Sequence, residues 1–144
     1  MTGKNKQYRE CKAMKEINIR TNSQVEMIDI TAAVREAVKK EDVRDGYCIV
    51  FTTHTTAAVT INENADPDVP RDIINALERA VPQNASYRHR EGNSPAHVKS
   101  SLVGASEIVL IDNGRLVLGT WQSIFFCEFD GPRNRKVVVK IIKG

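Results

Sequence analysis

Residues 106–142 read SEIVLIDNGRLVLGTWQSIFFCEFDGPRNRKVVVKII, and this stretch decides the fold class. SEIVLID (106–112) and RLVLGT (115–120) flank Asn113-Gly114, the strongest short signal for a two-residue hairpin turn, because both central residues need a positive φ. WQSIFFCEFD (121–130) and KVVVKII (136–142) are rich in aromatic and β-branched residues. They flank Gly131-Pro132-Arg133-Asn134, a second expected hairpin. No helical spacing interrupts them. A doubly wound α/β sheet needs strands alternating with helices, so this third of the chain excludes it.

Upstream, the strands become mixed with helices. AMKEINIR (13–20) and QVEMIDI (24–30) read as strands around the turn Thr21-Asn22-Ser23. Thr31 is expected to cap a helix over 31–43, with Val34, Ala37 and Val38 as its apolar stripe. YCIVFTT (47–53) and TAAVTIN (56–62) are further strands, followed by the turn-rich NENADPDVP. RDIINALERAV (71–81) places Ile73, Ile74, Leu77 and Val81 at helical spacing, and Ser94-Pro95 predicts a short helix over AHVKSSL. About seven strands and two or three helices give an α+β fold of mainly antiparallel β-sheets, sandwich-like, in one domain over residues 11–144. Residues 1–10 are expected to be a loose amino-terminal segment.

Composition narrows the function classes. No apolar run approaches the ~20 residues that span a bilayer, and the polar amino terminus has no signal-peptide core. The net charge of +3 comes from 21 basic and 18 acidic residues, scattered along the chain. With only 6% aromatic residues, that pattern argues against nucleic acid and for a small anionic or phosphorylated ligand. Cys11, Cys48 and Cys127 form no CxxC pair, which favours the reducing cytoplasm.

All three histidines, His54, His89 and His97, fall in one polar stretch that ends near Ser101. Polar groups at this density must find partners if buried, so a plain core is disfavoured. Three imidazoles with an open position form a catalytic metal pattern. Glu63, Asn64, Asp66 and Asp68 follow TAAVTIN, and carboxylates at this density suit a hard cation such as magnesium or serve turns and caps. The expected helix start at Asn93 and Ser94, with Lys99 and Ser100 near by, is a candidate phosphate seat. Glu128 and Asp130 share a strand face beside Arg133, as an anion clamp, a salt bridge or a solvated edge.

FTTHTTAAVTINENADPDV (51–69), YRHREGNSPAHVKSSLVGAS (87–106) and GRLVLGTWQSIFFCEFDGPRNRKVVV (114–139) together resemble the YjbQ-like family, whose members are labelled secondary thiamine-phosphate synthase. The resemblance spans nearly the whole chain past its amino terminus. It implies an α+β fold assembled as a homotrimer, with polar sites near subunit boundaries. It also implies that His54, His89 and His97 meet in space, acting with Glu63 and Glu128 in catalysis. Asn64, Asn93, Ser94, Lys99, Ser100, Gln122 and Arg133 would bind substrate. A divalent metal ion (zinc, manganese or magnesium) would sit on the three histidines and Asp66. The activity implied joins an aminopyrimidine diphosphate to a thiazole phosphate and releases pyrophosphate. The competing expectation is a non-catalytic trimeric protein that binds a metal or metabolite in the same pocket.

Overall fold

This computed structural model of the protein describes residues 14–144. The loose segment expected over 1–10, and Cys11, lie outside the described residues. A five-stranded sheet contains β1 (Met14–Arg20), β3 (Asp45–Phe51), β5 (Ser106–Asp112), β6 (Arg115–Leu116) and β8 (Asn134–Lys143), in the order β1-β8-β3-β5-β6. A three-stranded sheet contains β2 (Glu26–Asp29), β4 (Ala57–Glu63) and β7 (Gln122–Glu128), in the order β2-β7-β4. Every pairing is antiparallel. The helices are α1 (Thr31–Glu41), α2 (Asp68–Ala80) and α3 (Ser94–Val103). Among the described residues no helix is long and apolar enough to cross a membrane.

The two sheets pack face to face because strand alternation gives each an apolar row. Val50, Val109, Val137 and Val139 from the larger sheet meet Ala57, Val59, Ile124 and Phe126 from the smaller one, and α1 adds Val34 and Val38. Fully burying each of these larger side chains contributes about 1.5–3 kcal/mol. β7 is buried on both faces: its other row, Phe125 and Cys127, packs with Ala58, Ala96 and Phe129, next to Leu77 of α2 and Val103 of α3. β8 instead alternates buried and less buried residues, as a strand covered on one side does.

This difference corrects an expected hairpin. β7 and β8 do not pair with each other; they belong to different sheets, and Phe129–Arg133 carries the chain between them. β1 and β2 likewise separate, β1 onto β8 and β2 onto β7. The turn chemistry was real, but the partner of each strand was set by which faces are apolar. The Asn113-Gly114 hairpin does form, with φ of 52° and 77°, although its second strand is only Arg115–Leu116. Two helix caps also differ. Thr31 is the first helical residue, and its N–H and hydroxyl both donate to the Asp29 carboxylate. Ser94 is likewise inside α3, with Asn93 at the cap position and no side-chain cap bond.

Candidate functional site

Three chain crossings between the sheets meet at one end of the sandwich: Thr21–Val25, Thr52–Thr56 and Phe129–Arg133. Backbone bonds knit them together, with Thr21 N–H on Arg133 O (3.0 Å), Phe129 N–H on Thr56 O (3.2 Å) and Gly131 N–H on Gln24 O (3.0 Å). A Cβ on Gly131 would lie 2.4 Å from Ser23 O, so only glycine fits that corner.

A buried ion pair centres the junction. Arg135 shares the inward row of β8 with Val137 and Val139, and its side chain is 4% exposed. Its guanidinium donates to Glu128 Oε2 (2.7 Å) and Oε1 (2.5 Å), and to Thr56 Oγ1 (2.9 Å). The Thr21 hydroxyl (2.9 Å) and Asp130 N–H (2.8 Å) complete the carboxylate. Burial alone would raise the Glu128 pKa, but bonds from Arg135, Asp130 and Thr21 outweigh it and hold the carboxyl below its ordinary range. Glu128 is therefore saturated and inaccessible. The catalytic role expected of it gives way to that of a positioning residue.

Past the end of β3, two side chains continue the ladder to β8. Thr52 Oγ1 donates to Lys136 O (3.4 Å), and Lys136 N–H donates to His54 Nε2 (3.1 Å). An accepting Nε2 fixes the neutral tautomer with its proton on Nδ1. Burial, then the nearby Arg135 charge, holds the His54 pKa below its ordinary value, with Glu128 opposing. His97 stands on the first turn of α3, and its ring meets His89 edge-on, with centroids 5.2 Å apart. His89 Nε2 lies 3.7 Å from Glu91. Ser100 Oγ ties α3 to the crossing loop through Thr55 O at 2.6 Å.

His54, His97, Thr56, Glu91 and Arg135 line an open polar cleft of about 340 Å³, and His89 is not among its lining residues. Thr53, His54, Thr55 and His97 also line a neighbouring cavity of about 600 Å³ against α3. Arg133 and Asp130 border the cleft as a pair, 3.1 Å apart. Asn93 donates to Asp130 (2.9 Å), while its own buried Oδ1 has no partner among the described residues. The cleft thus offers N–H donors and carboxylates side by side.

Other expected site residues lie elsewhere. Glu63 and Gln122 pair at the far end of β4, six residues from Ala57, or about 20 Å along the strand. Gln122 Oε1 accepts Gly119 N–H within a local turn, and Asn64 donates to Asp29, tying the end of β4 to the end of β2. Asp66 accepts Asp68 N–H at the approach to α2. Lys99 is buried against Glu78 over the Phe129 ring, its charge spent within the protein. Ser100 is committed to backbone oxygens. The start of α3 is also a poorer phosphate seat than expected, since Pro95 has no N–H and the Ala96 and His97 amides donate to Asn93 O.

The expected metal set does not come together within this chain. Among the described residues no three His, Cys, Asp or Glu side chains are grouped to hold an ion. The His54 Nε2 lone pair is already used, and Asp66 is at the other end of the smaller sheet. Arg135, Thr21 and Thr56 were the junction and cleft residues missed as site residues, whereas the sequence itself sets Asp130 beside Arg133. One signal was present: an arginine on the apolar row of an otherwise Val/Ile strand.

The match to known proteins agrees with this architecture. The UPF0047 protein YjbQ-like family profile matches residues 15–144. The chain belongs to the YjbQ/UPF0047 family. A UPF0047 protein of Methanocaldococcus jannaschii is 53% identical over 124 residues, covering 86% of this chain and 90% of that one. The UPF0047 protein YugU of Bacillus subtilis is 48% identical, covering 90% and 98%. A YjbQ/UPF0047 crystal structure from Clostridium acetobutylicum superimposes with a TM-score of 0.87 at 55% identity, covering 89% of this chain and 99% of the other. A protein of unknown function from Sulfolobus solfataricus gives 0.88 at 34% identity, covering 91% and 96%.

Proposed function

We propose that the cleft is the active site of an enzyme acting on phosphorylated small molecules, with thiamine-phosphate synthase as its specific reaction. The observation that carries this reading is one open cleft in which His54, His97 and Arg133 stand beside Glu91 and Asp130. In that reaction the methylene C–O bond of the aminopyrimidine diphosphate breaks, and pyrophosphate leaves with the electron pair. The thiazole nitrogen lone pair then forms the C–N bond. Arg133 and the His54 Nδ1–H would bind the departing anion, while Asp130 and Glu91 would face the cationic pyrimidine. A divalent cation would enter bound to the diphosphate and offset its charge, rather than sit on the three imidazoles.

A homotrimer in the cytoplasm belongs to the same reading. Phe51, Ile108, Leu110 and Val117 are at least 40% exposed, and they share the uncovered face of the larger sheet, a patch suited to other copies of the chain. The test is pyrophosphate release from the two thiamine precursors, with and without magnesium, manganese or zinc. Turnover lost in His54→Ala and Arg133→Gln is expected. Turnover unchanged in both variants rules out the cleft, and tight precursor binding without turnover makes the protein a binding module instead.

A further inference from the structure

A second cavity, of about 580 Å³, lies between the end of α1 and the β5–β6 turn. It adjoins the start of β3, whereas the cleft adjoins the strand's other end, so about 20 Å of sheet separates them. Arg35 and Lys39, one helical turn apart, line it from α1, and Arg44 and Arg115 line it from the strand side. Val38, Val43 and Leu116 form its apolar floor, continuous with the main core.

Four cations converge on this one groove. Elsewhere Lys15, Arg71, Lys99, Arg133, Arg135 and Lys136 each have a carboxylate within 4 Å, while Arg20, Lys40, Arg79, Arg88, Arg90, Lys140 and Lys143 have none among the described residues. None of the four groove cations has one among the described residues. Arg44 is held in place by the hairpin: its guanidinium donates to Asn113 Oδ1 (3.0 Å), and Gly114 N–H donates to Arg44 O (2.9 Å). Among the described residues Asp42 is the one carboxylate lining the groove, and the α1 carboxyl end adds about half a negative charge. Four cations outweigh both.

We propose that this groove binds an organic phosphate with at least two negative charges and a ring, such as a nucleoside diphosphate, at a site separate from the cleft. The cations take the phosphates and the apolar floor takes the ring. A volume of 580 Å³ falls among small-molecule sites. Single-stranded nucleic acid would want aromatic stacking platforms, and among the described residues no aromatic side chain lines this groove.

ADP titrated into the full ¹⁵N-labelled chain tests this. Saturable shifts of the Asn113, Gly114 and Leu116 amides are expected, with ADP binding more tightly than inorganic pyrophosphate. Arg35 and Arg115 are exposed, so Arg35→Gln/Arg115→Gln should fold and weaken ADP about tenfold or more at these amides. Arg133→Gln should leave them unchanged. No saturation by about 10 mM ADP overturns the proposal, as does equal binding by the double variant. Saturation by polyuridylate at lower phosphate concentration than ADP also overturns it, in favour of nucleic acid.

Discussion

Replacing Glu128 with Gln should destabilise the protein by about 3–5 kcal/mol, because it leaves the buried Arg135 guanidinium without its counter-charge. Four hydrogen bonds converge on this carboxylate, two from Arg135 and one each from Thr21 and Asp130. Gln preserves the shape but only one acceptor oxygen, so at least one guanidinium bond is lost. Urea unfolding at fixed protein concentration reads the effect. With a slope of about 2 kcal/mol per molar, the midpoint should fall by about 1.5–2.5 M. Glu128→Gln/Arg135→Met should lose less than the sum of its single variants, since neither charge is then stranded. The Glu128 pKa is lowered in the folded state, so its stabilisation is complete above the ordinary value of 4.5 and is lost as pH falls below it. The variant should lack that acid-limb dependence. A cost under about 1 kcal/mol, or strict additivity in the double variant, refutes the claim that this pair holds the three crossings together.

His54 should titrate below 6.5 and carry its neutral proton on Nδ1, as read from imidazole ¹⁵N shifts; an Nε2–H tautomer contradicts the bond from Lys136. Because the folded pKa is lowered, stability from this group is full above 6.5 and declines as pH falls toward the folded value. Ile108→Asp/Leu110→Asp should give smaller assemblies by light scattering with the fold retained by circular dichroism; an unchanged mass places the interface elsewhere. Burial pushes the Cys48 thiol to about 11 and the Cys127 thiol to about 12. Both should resist a thiol reagent at pH 8 until urea is added, and rapid labelling of either in the native protein speaks against the packing described.

The strands were legible where residue type alone decides them. Aromatic and β-branched runs in β5, β7 and β8 and the Asn113-Gly114 turn predicted strands that form. Pairing was less legible, because a turn signal reports a reversal and not which sheet receives the next strand. Gly131-Pro132 therefore read as a hairpin, although apolar residues on both faces of β7 already marked a strand between two layers. For the site, His54, His97, Asn93 and Arg133 were chosen by residue chemistry and line one cleft. Lys99 and Ser100 were chosen the same way and turned inward, since side-chain type does not reveal which groups neutralise one another. Arg135 was overlooked because its partner is seven residues back, across a change of sheet.

Pyrophosphate titrated into the labelled protein, read at the Thr53, Thr55 and Asn93 amides, tests the cleft most directly. Arg133 lines the cleft and is 55% exposed in its side chain, so Arg133→Gln removes a cleft charge without unfolding the junction. Saturable shifts at these amides are expected in the wild type, weakened about tenfold or more in Arg133→Gln. Amides that stay unmoved, or equal affinity in the variant, would contradict a binding site in the cleft.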